Sequence, residues 1–264
     1  MTHIREPAVA GLFYPEKAVE LQQVIETLLQ AAPHPATAHP KALIVPHAGY
    51  VYSGSTAAQA FATLQGQADT IKRVVLLGPS HRVGFRGIAF CSADYYRTPL
   101  GDVPVDQSAF VAISNLPNVG MLDRAHSQEH CLEVQLPFLQ MILPEFSVVP
   151  LVVGDADYDD VARVLEKLWG GDETLILISS DLSHYHDYDT ARALDRRTCD
   201  AIEHCQPDAI GYEQACGRIP VNGLLAVARR KQLQIETLAL CNSGDTAGDR
   251  NRVVGYGAWA FHEH

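Results

Sequence analysis

Four short apolar runs of this 264-residue chain each end in residue types that bind metals or move protons. The run ALIV at 42–45 leads into Pro46-His47-Ala48-Gly49-Tyr50. Residues 73–78 lead into Pro79-Ser80-His81, and residues 174–180 into Asp181-Leu182-Ser183-His184. Residues 234–240 lead into Cys241-Asn242-Ser243-Gly244-Asp245. Imidazole, carboxylate and thiolate are the side chains that ligate transition metals, and imidazole titrates near neutral pH. A lone histidine after a strand is more often a hydrogen-bonded loop residue than a ligand, so neither His47 nor His81 says much alone. Asp181 with His184 reads two ways. It can be a side chain–backbone turn at a strand end, or a carboxylate that orients an imidazole and fixes its tautomer. Convergence of all four strand ends at one rim is what would make a site.

The elements that must position these residues follow from hydrophobic periodicity. Continuous apolar runs bounded by turn residues read as strands buried on both faces. Further strands are expected at 87–90, 147–154 and 252–261. Helical spacing predicts a helix after Pro15 through Leu29 and another over 53–64, with Ser53 or Ser55 as its cap. Others are expected over 129–143 with a kink near Pro137, and over 157–169, 188–204, 207–216 and 221–232. Residues 32–40 form a Pro-rich loop, and 94–106 are extended or looped. Strands alternating with helices predict a largely parallel sheet covered on both faces, a single three-layer α/β/α domain over 1–264. In such sheets ligands bind outside the carboxyl ends of the strands.

Composition narrows the partners. Lys+Arg at 20 against Asp+Glu at 31 gives a net charge of −11, which argues against duplex nucleic acid and against an anionic membrane surface. No apolar run nears the roughly 18 residues of a membrane span. The N-terminus lacks the pattern of a secretory signal, and the six cysteines form no CxxC pair, so a reducing cytoplasm is expected. HExxH, GxGxxG, P-loop and GxSxG motifs are missing. Several features have structural readings of their own. Ser127 can cap a helix that Glu129 favours through the dipole. Cys216-Gly217-Arg218 reads as a glycine helix end, or as an arginine aimed at an anionic group. Tyr95 to Leu100 can wall a pocket or simply pack. His34, His39, His186, His262 and His264 lie in polar, Pro-rich or terminal stretches and read as solvated.

The ordered motifs resemble the Memo family. They are Gly11-Leu12-Phe13-Tyr14-Pro15, Pro46-His47-Ala48-Gly49-Tyr50 with Tyr52-Ser53-Gly54, Leu77-Gly78-Pro79-Ser80-His81 and Tyr96-Arg97-Thr98-Pro99-Leu100. Glu129-His130 with Glu133, Ser179-Ser180-Asp181 with His184, and Cys216-Gly217-Arg218 complete the set. The resemblance implies the α/β/α fold of class III extradiol dioxygenases, which hold Fe(II) with two histidines and a carboxylate and use a further histidine as acid–base. It maps His47 and His81 onto the two histidine ligands and Asp181 with His184 onto the Asp/His pair. The cysteine of the eukaryotic relative falls on Thr246, a poor ligand. That leaves His184, Asp245 or Cys241 as third ligand. The likeness is to microbial members, so the receptor signalling of the eukaryotic relative is not carried over. It implies AMMECR-type and radical-SAM proteins as partners.

Two functions are therefore expected. The first is a metal-dependent oxidoreductase acting on a small substrate. His47 and His81, with His184 or Asp245, would hold Fe(II), copper or zinc being alternatives. His184, oriented by Asp181, would move a proton, with His130 as a further acid–base group. The second is a non-enzymatic protein that handles a metal or binds a peptide or partner on the same fold. A zinc hydrolase is a third reading of the same residues.

Overall fold

The computed structural model describes residues 2–33 and 39–264; the expectation for His34 lies outside the described residues. The first third contains β1 (Ile4–Arg5), α1 (Ala18–Ala31), β2 (Ala42–Val45), α2 (Tyr50–Ala62), β3 (Arg73–Pro79) and β4 (Ile88–Phe90). Then come β5 (Tyr95–Thr98), β6 (Gly101–Pro104), α3 (Gln107–Ile113), β7 (Val119–Met121), α4 (Asp123–Ser127), α5 (Leu136–Ile142) and β8 (Ser147–Val153). The last part holds α6 (Tyr158–Leu168), β9 (Thr174–Ser179), β10 (His184–His186), α7 (Tyr188–Glu203), α8 (Arg218–Lys231), β11 (Gln234–Asn242) and β12 (Val253–His262).

The main sheet runs β10-β12-β2-β9-β3-β8-β4-β7, with β11 also paired to β12. The central four strands, β2-β9-β3-β8, are parallel, and β4 pairs parallel with the edge strand β7. β12 joins β2 antiparallel, and β4 joins β8 antiparallel. The central runs are Val-, Ile- and Leu-rich, as strands with both faces covered must be, and every residue of β2 and β9 is buried. α2 lies on β2, β11 and β12 and is backed by α1 and α5; α8 lies on β3 and β9 beside α6, and α7 on β11 and β12. One contiguous apolar cluster extends from Val9 to Phe261. The N-terminal arm is tied to it by a buried ion pair between Arg5 and Glu133. The second carboxylate oxygen of Glu133 accepts from the Tyr14 hydroxyl.

Several expected boundaries move for local reasons. α2 begins at Tyr50 behind Gly49, so neither Ser53 nor Ser55 caps it; Ser53 donates to the Ala48 carbonyl at 3.1 Å. Pro137 does not kink a long helix. It sits in the first turn of α5, where proline has no preceding carbonyl to clash with. Ser127 ends α4 rather than starting a helix. The 94–106 stretch forms the β5–β6 hairpin, and Tyr96 is packed inside with its hydroxyl 2.6 Å from His126 Nδ1. Only a single 3-10 turn, Pro207–Ala209, forms in the expected helix 207–216, and Gly217 precedes α8 instead of ending a helix. His262 is buried in β12, not solvated, with its Nε2 3.6 Å from Glu236 Oε2 of the neighbouring strand. His39 and His264 are exposed and His186 is half-buried.

Candidate metal centre

Strand register places the site. Val45 of β2 is level with Ser179 of β9, and Leu77 of β3 is level with Ile178. The three strands therefore end together. His47, Asp181 and His81 leave them within a few residues, with β9 in the middle and neighbours about 4.8 Å away on each side. The result is a cluster of three imidazoles. Ring centroids are 5.0 Å apart for His47–His81, 5.4 Å for His47–His130 and 4.7 Å for His81–His130.

Two of the rings, His47 and His81, are each held by a partner that also fixes the proton. His47 Nδ1 lies 3.0 Å from the Ser179 hydroxyl. That hydroxyl already donates to the Cys131 carbonyl (2.6 Å) and accepts from Gln135 Nε2 (2.8 Å), so it takes the His47 Nδ1–H on its remaining lone pair. His47 Nε2 is left as an acceptor. His81 Nδ1 lies 2.9 Å from Glu129 Oε1, and the His81 backbone N–H donates to Glu129 Oε2 at 2.6 Å. A carboxylate can only accept, so His81 also keeps its proton on Nδ1 and presents a free Nε2. A carboxylate or hydroxyl behind a ligating imidazole is the arrangement that orients metal-binding histidines.

Cys216 supplies the third donor. Its backbone N–H donates to the Asp181 carbonyl at 3.3 Å, and the next N–H, of Gly217, donates to the Ser180 hydroxyl at 3.0 Å. The chain comes so close to the end of β9 that a Cβ on Gly217 would lie 2.6 Å from Ser180 Cβ. Cys216 Sγ is thereby held 3.4 Å from His47 Nε2. A tetrahedral edge between thiolate sulfur and imidazole nitrogen comes to roughly 3.5 Å at ordinary zinc bond lengths. One donor atom each from His47, His81 and Cys216 lies within 4.8 Å of the others, and the same holds for His81, Glu129 and His130. His130 Nδ1 is buried without a hydrogen bond, 3.3 Å from Glu129 Oε1. The donor set fits a metal ion.

The family model described as Memo-like protein matches residues 5–260. The chain belongs to the Memo family. A MEMO1 family protein of Aquifex aeolicus is 36% identical over 267 residues, covering 96% of this chain and 97% of that relative. One of Thermotoga maritima is 35% identical over 280 residues, covering 96% and 97%. The crystal structure of an uncharacterized protein from Escherichia coli K12 matches with a TM-score of 0.56 at 13% identity. It covers 83% of this chain and 98% of that one, a likeness of fold alone.

Within this Memo fold the expected residues separate. His47 and His81 come together. His184 stands beside them, near enough to act electrostatically on His47 and Asp181, but outside the donor groups found among the described residues. Its Nδ1 donates to the Leu182 carbonyl at 2.8 Å, leaving Nε2 free. That carbonyl, not Asp181, orients the ring. Asp181 instead accepts the His47 backbone N–H at 2.7 Å, and its other oxygen is 3.9 Å from His47 Nε2. Asp245 does not join. It is exposed and closes a capping box, taking the Asn242 N–H on one oxygen and the Tyr188 hydroxyl on the other. The reason is topological: β11 ends two strand spacings from β2, roughly 10 Å away. Cys241 faces Thr56 at 3.0 Å, and Thr246 is exposed and bonded to Ser243.

Three residues of the candidate site were not expected from sequence: Cys216 as a possible donor, and Glu129 and Ser179 as partners of the histidine rings. Pro220 was a usable signal for the first. A proline in the first turn marks a helix start, which makes Cys216-Gly217 an entry loop at the rim rather than a helix end.

Burial sets the protonation states. It pushes the His47 pKa well below its ordinary value, reinforced by the nearby His81, and lowers His130 to about 4. Burial, then the Asp181 charge, pushes the Cys216 thiol up. Burial likewise raises Asp181, partly offset by the His47 N–H. Burial opposes the Glu129 charge too, but hydrogen bonds from the His81 ring and from backbone N–H groups hold its carboxyl at about 2. His47 and His130 are thus neutral, the Cys216 thiol is protonated, and the Glu129 carboxylate behind them is ionised.

Proposed function

We propose that this Memo-family protein is a metal-dependent oxidoreductase acting on a small substrate, with His47, His81 and Cys216 as the metal-holding side chains. The observation that carries this reading is the meeting of three donors from three separate loops, the two imidazoles each having its proton fixed on the far nitrogen. Two imidazoles and a sulfur suit iron, copper or zinc. When bound, such an ion would supply Lewis-acid and, for iron or copper, one-electron chemistry. The chain supplies the rest. Glu129 and Ser179 aim the rings. His184, with Nε2 free, is placed to take a substrate proton and return it. His130, nearly neutral by burial, and Asp181, with its raised pKa, stand beside it as further proton carriers. Phe13 lies 4.8 Å from the His130 ring and shields that side from water.

The test uses untagged protein reloaded anaerobically with Fe(II). Oxygen uptake with a panel of catechols should depend on His47, falling at least 100-fold in His47→Ala. Equal rates in the two proteins would refute the enzymatic reading. One observation favours the second reading, metal handling without turnover. The third donor is a sulfur, so the set departs from the two-histidine, one-carboxylate arrangement of oxygen-activating iron sites. Stoichiometric metal with no His47-dependent uptake is what that reading expects.

A further inference from the structure

The loop that carries Cys216 also carries Arg218, the first residue of α8. Its side chain is half-buried, and no hydrogen bond or ion pair to it occurs among the described residues. Six other arginines of this acidic chain, Arg5, Arg73, Arg97, Arg163, Arg196 and Arg230, find carboxylates, whereas Arg218 shares its lack of an ion pair among the described residues with several others. A guanidinium drawn partly out of water without a counter-charge is costly unless something else supplies the anion.

Arg218 lines a cleft of about 230 Å³ together with Cys216, Val83, Phe85, Asp155, Tyr212 and Ile219. Its lining thus joins the candidate donor Cys216, one guanidinium, one carboxylate and an apolar, partly aromatic wall. The cleft also touches Pro79 and Ser80, the residues immediately before His81. Its volume is that of roughly eight waters, enough for a small molecule and too little for a folded peptide segment. Arg218 also faces a neighbouring cleft of about 570 Å³, where Arg86 stands with Asp155, Asp157 and Asp160. Two of those acids are committed: Asp157 caps α6, and Asp160 binds Arg163 and Asn118.

We propose that this cleft binds a small monocarboxylate with an apolar body. Its carboxylate sits on Arg218, in the two-point geometry that a guanidinium offers, and its apolar part lies against Val83, Phe85 and Ile219. The other end then reaches Cys216. The proposal rests on the reading of Cys216, His47 and His81 as the reaction centre, and names the substrate class that centre would serve.

Calorimetric titration with benzoate, benzamide and inorganic phosphate tests it, in metal-free and Co(II)-loaded protein, with Arg218→Gln and Arg218→Lys as variants. The expected result is one benzoate site in the wild type, at least tenfold weaker binding of benzamide, and at least a tenfold loss in Arg218→Gln. Arg218→Lys should fall between. No benzoate binding at millimolar concentration, benzamide binding as well as benzoate, tighter phosphate than benzoate, or an Arg218→Gln variant that binds like wild type would each overturn it. Co(II) binding in the same samples separates the two ideas. Co(II) bound with no Arg218-dependent benzoate site sinks this proposal alone. Arg218-dependent benzoate binding without Co(II) sinks the metal reading and leaves the anion site standing.

Discussion

Glu129→Gln is the perturbation whose consequence the geometry fixes best. The Glu129 carboxylate accepts from His81 N at 2.6 Å, His81 Nδ1 at 2.9 Å, His130 N at 2.9 Å and Cys131 N at 3.1 Å. Those donors, against the cost of burial, hold its pKa at about 2 where 4.5 is ordinary. A difference of that size corresponds to about 3 kcal/mol of stability at neutral pH. Glutamine has the same shape but turns an NH₂ toward the N–H donors and carries no charge, so most of that amount should be lost. A loss of 3 kcal/mol in a chain of this size lowers Tm by roughly 6–12 °C. The carboxyl has a depressed pKa in the folded state, so its contribution is full above about 4.5, the unfolded value, and fades as pH falls toward 2. Urea denaturation of metal-free wild type and variant from pH 7 down to pH 3.5 reads this out. The two stability curves should be parallel above pH 5.5 and converge below 4.5. A variant within 0.5 kcal/mol of wild type at pH 7, or a gap that stays constant down to pH 3.5, would refute the reasoning.

Other expectations follow from the same contacts. Gly217→Ala places a Cβ 2.6 Å from Ser180 Cβ and should cost about 1–3 kcal/mol and weaken metal binding; wild-type values for both in denaturation and metal titration would count against the close approach that holds Cys216. Asp195 is buried, which raises its carboxyl to about 6. A raised carboxyl stabilises the fold most below about 3.9, and that contribution is lost as pH rises through 6. Asp195→Asn should therefore gain on wild type by up to about 3 kcal/mol between pH 4 and pH 7.5 in urea titrations, and parallel profiles would contradict it. Arg5→Ala strands the Glu133 carboxylate in the core and frees the Glu129 and His126 carbonyls that Arg5 holds, so thermal unfolding should reveal a loss of about 3–5 kcal/mol; a loss under 1 kcal/mol would show the ion pair to be dispensable.

The sheet was legible in the sequence because buried strands announce themselves by continuous apolar runs. Residues 42–45, 73–78 and 174–180 matched three of the four central strands almost to the residue, and with them came His47 and His81 at a common rim. The third donor was not legible in the same way. Which strand ends meet depends on strand order, and β11, whose end carries Asp245, sits at the side of the sheet. Cys216 comes from a loop after no strand at all, brought in by the start of α8 and by the missing side chain of Gly217. The orienting groups were hidden for a different reason. Glu129 and Ser179 act through hydrogen bonds to residues 48 and 132 positions away in sequence, which no local pattern encodes. Asp181 and His184, three residues apart, invited a pairing that the backbone at Leu182 replaces.

The central claim is that imidazoles 47 and 81 and the sulfur of Cys216 share one metal ion. Anaerobic titration with Co(II), followed by absorption spectroscopy, tests it most directly. One equivalent should bind, with a thiolate-to-cobalt charge-transfer band in the near ultraviolet that disappears in Cys216→Ser. No Co(II) uptake by the wild type, or superimposable spectra for wild type and Cys216→Ser, would contradict the account.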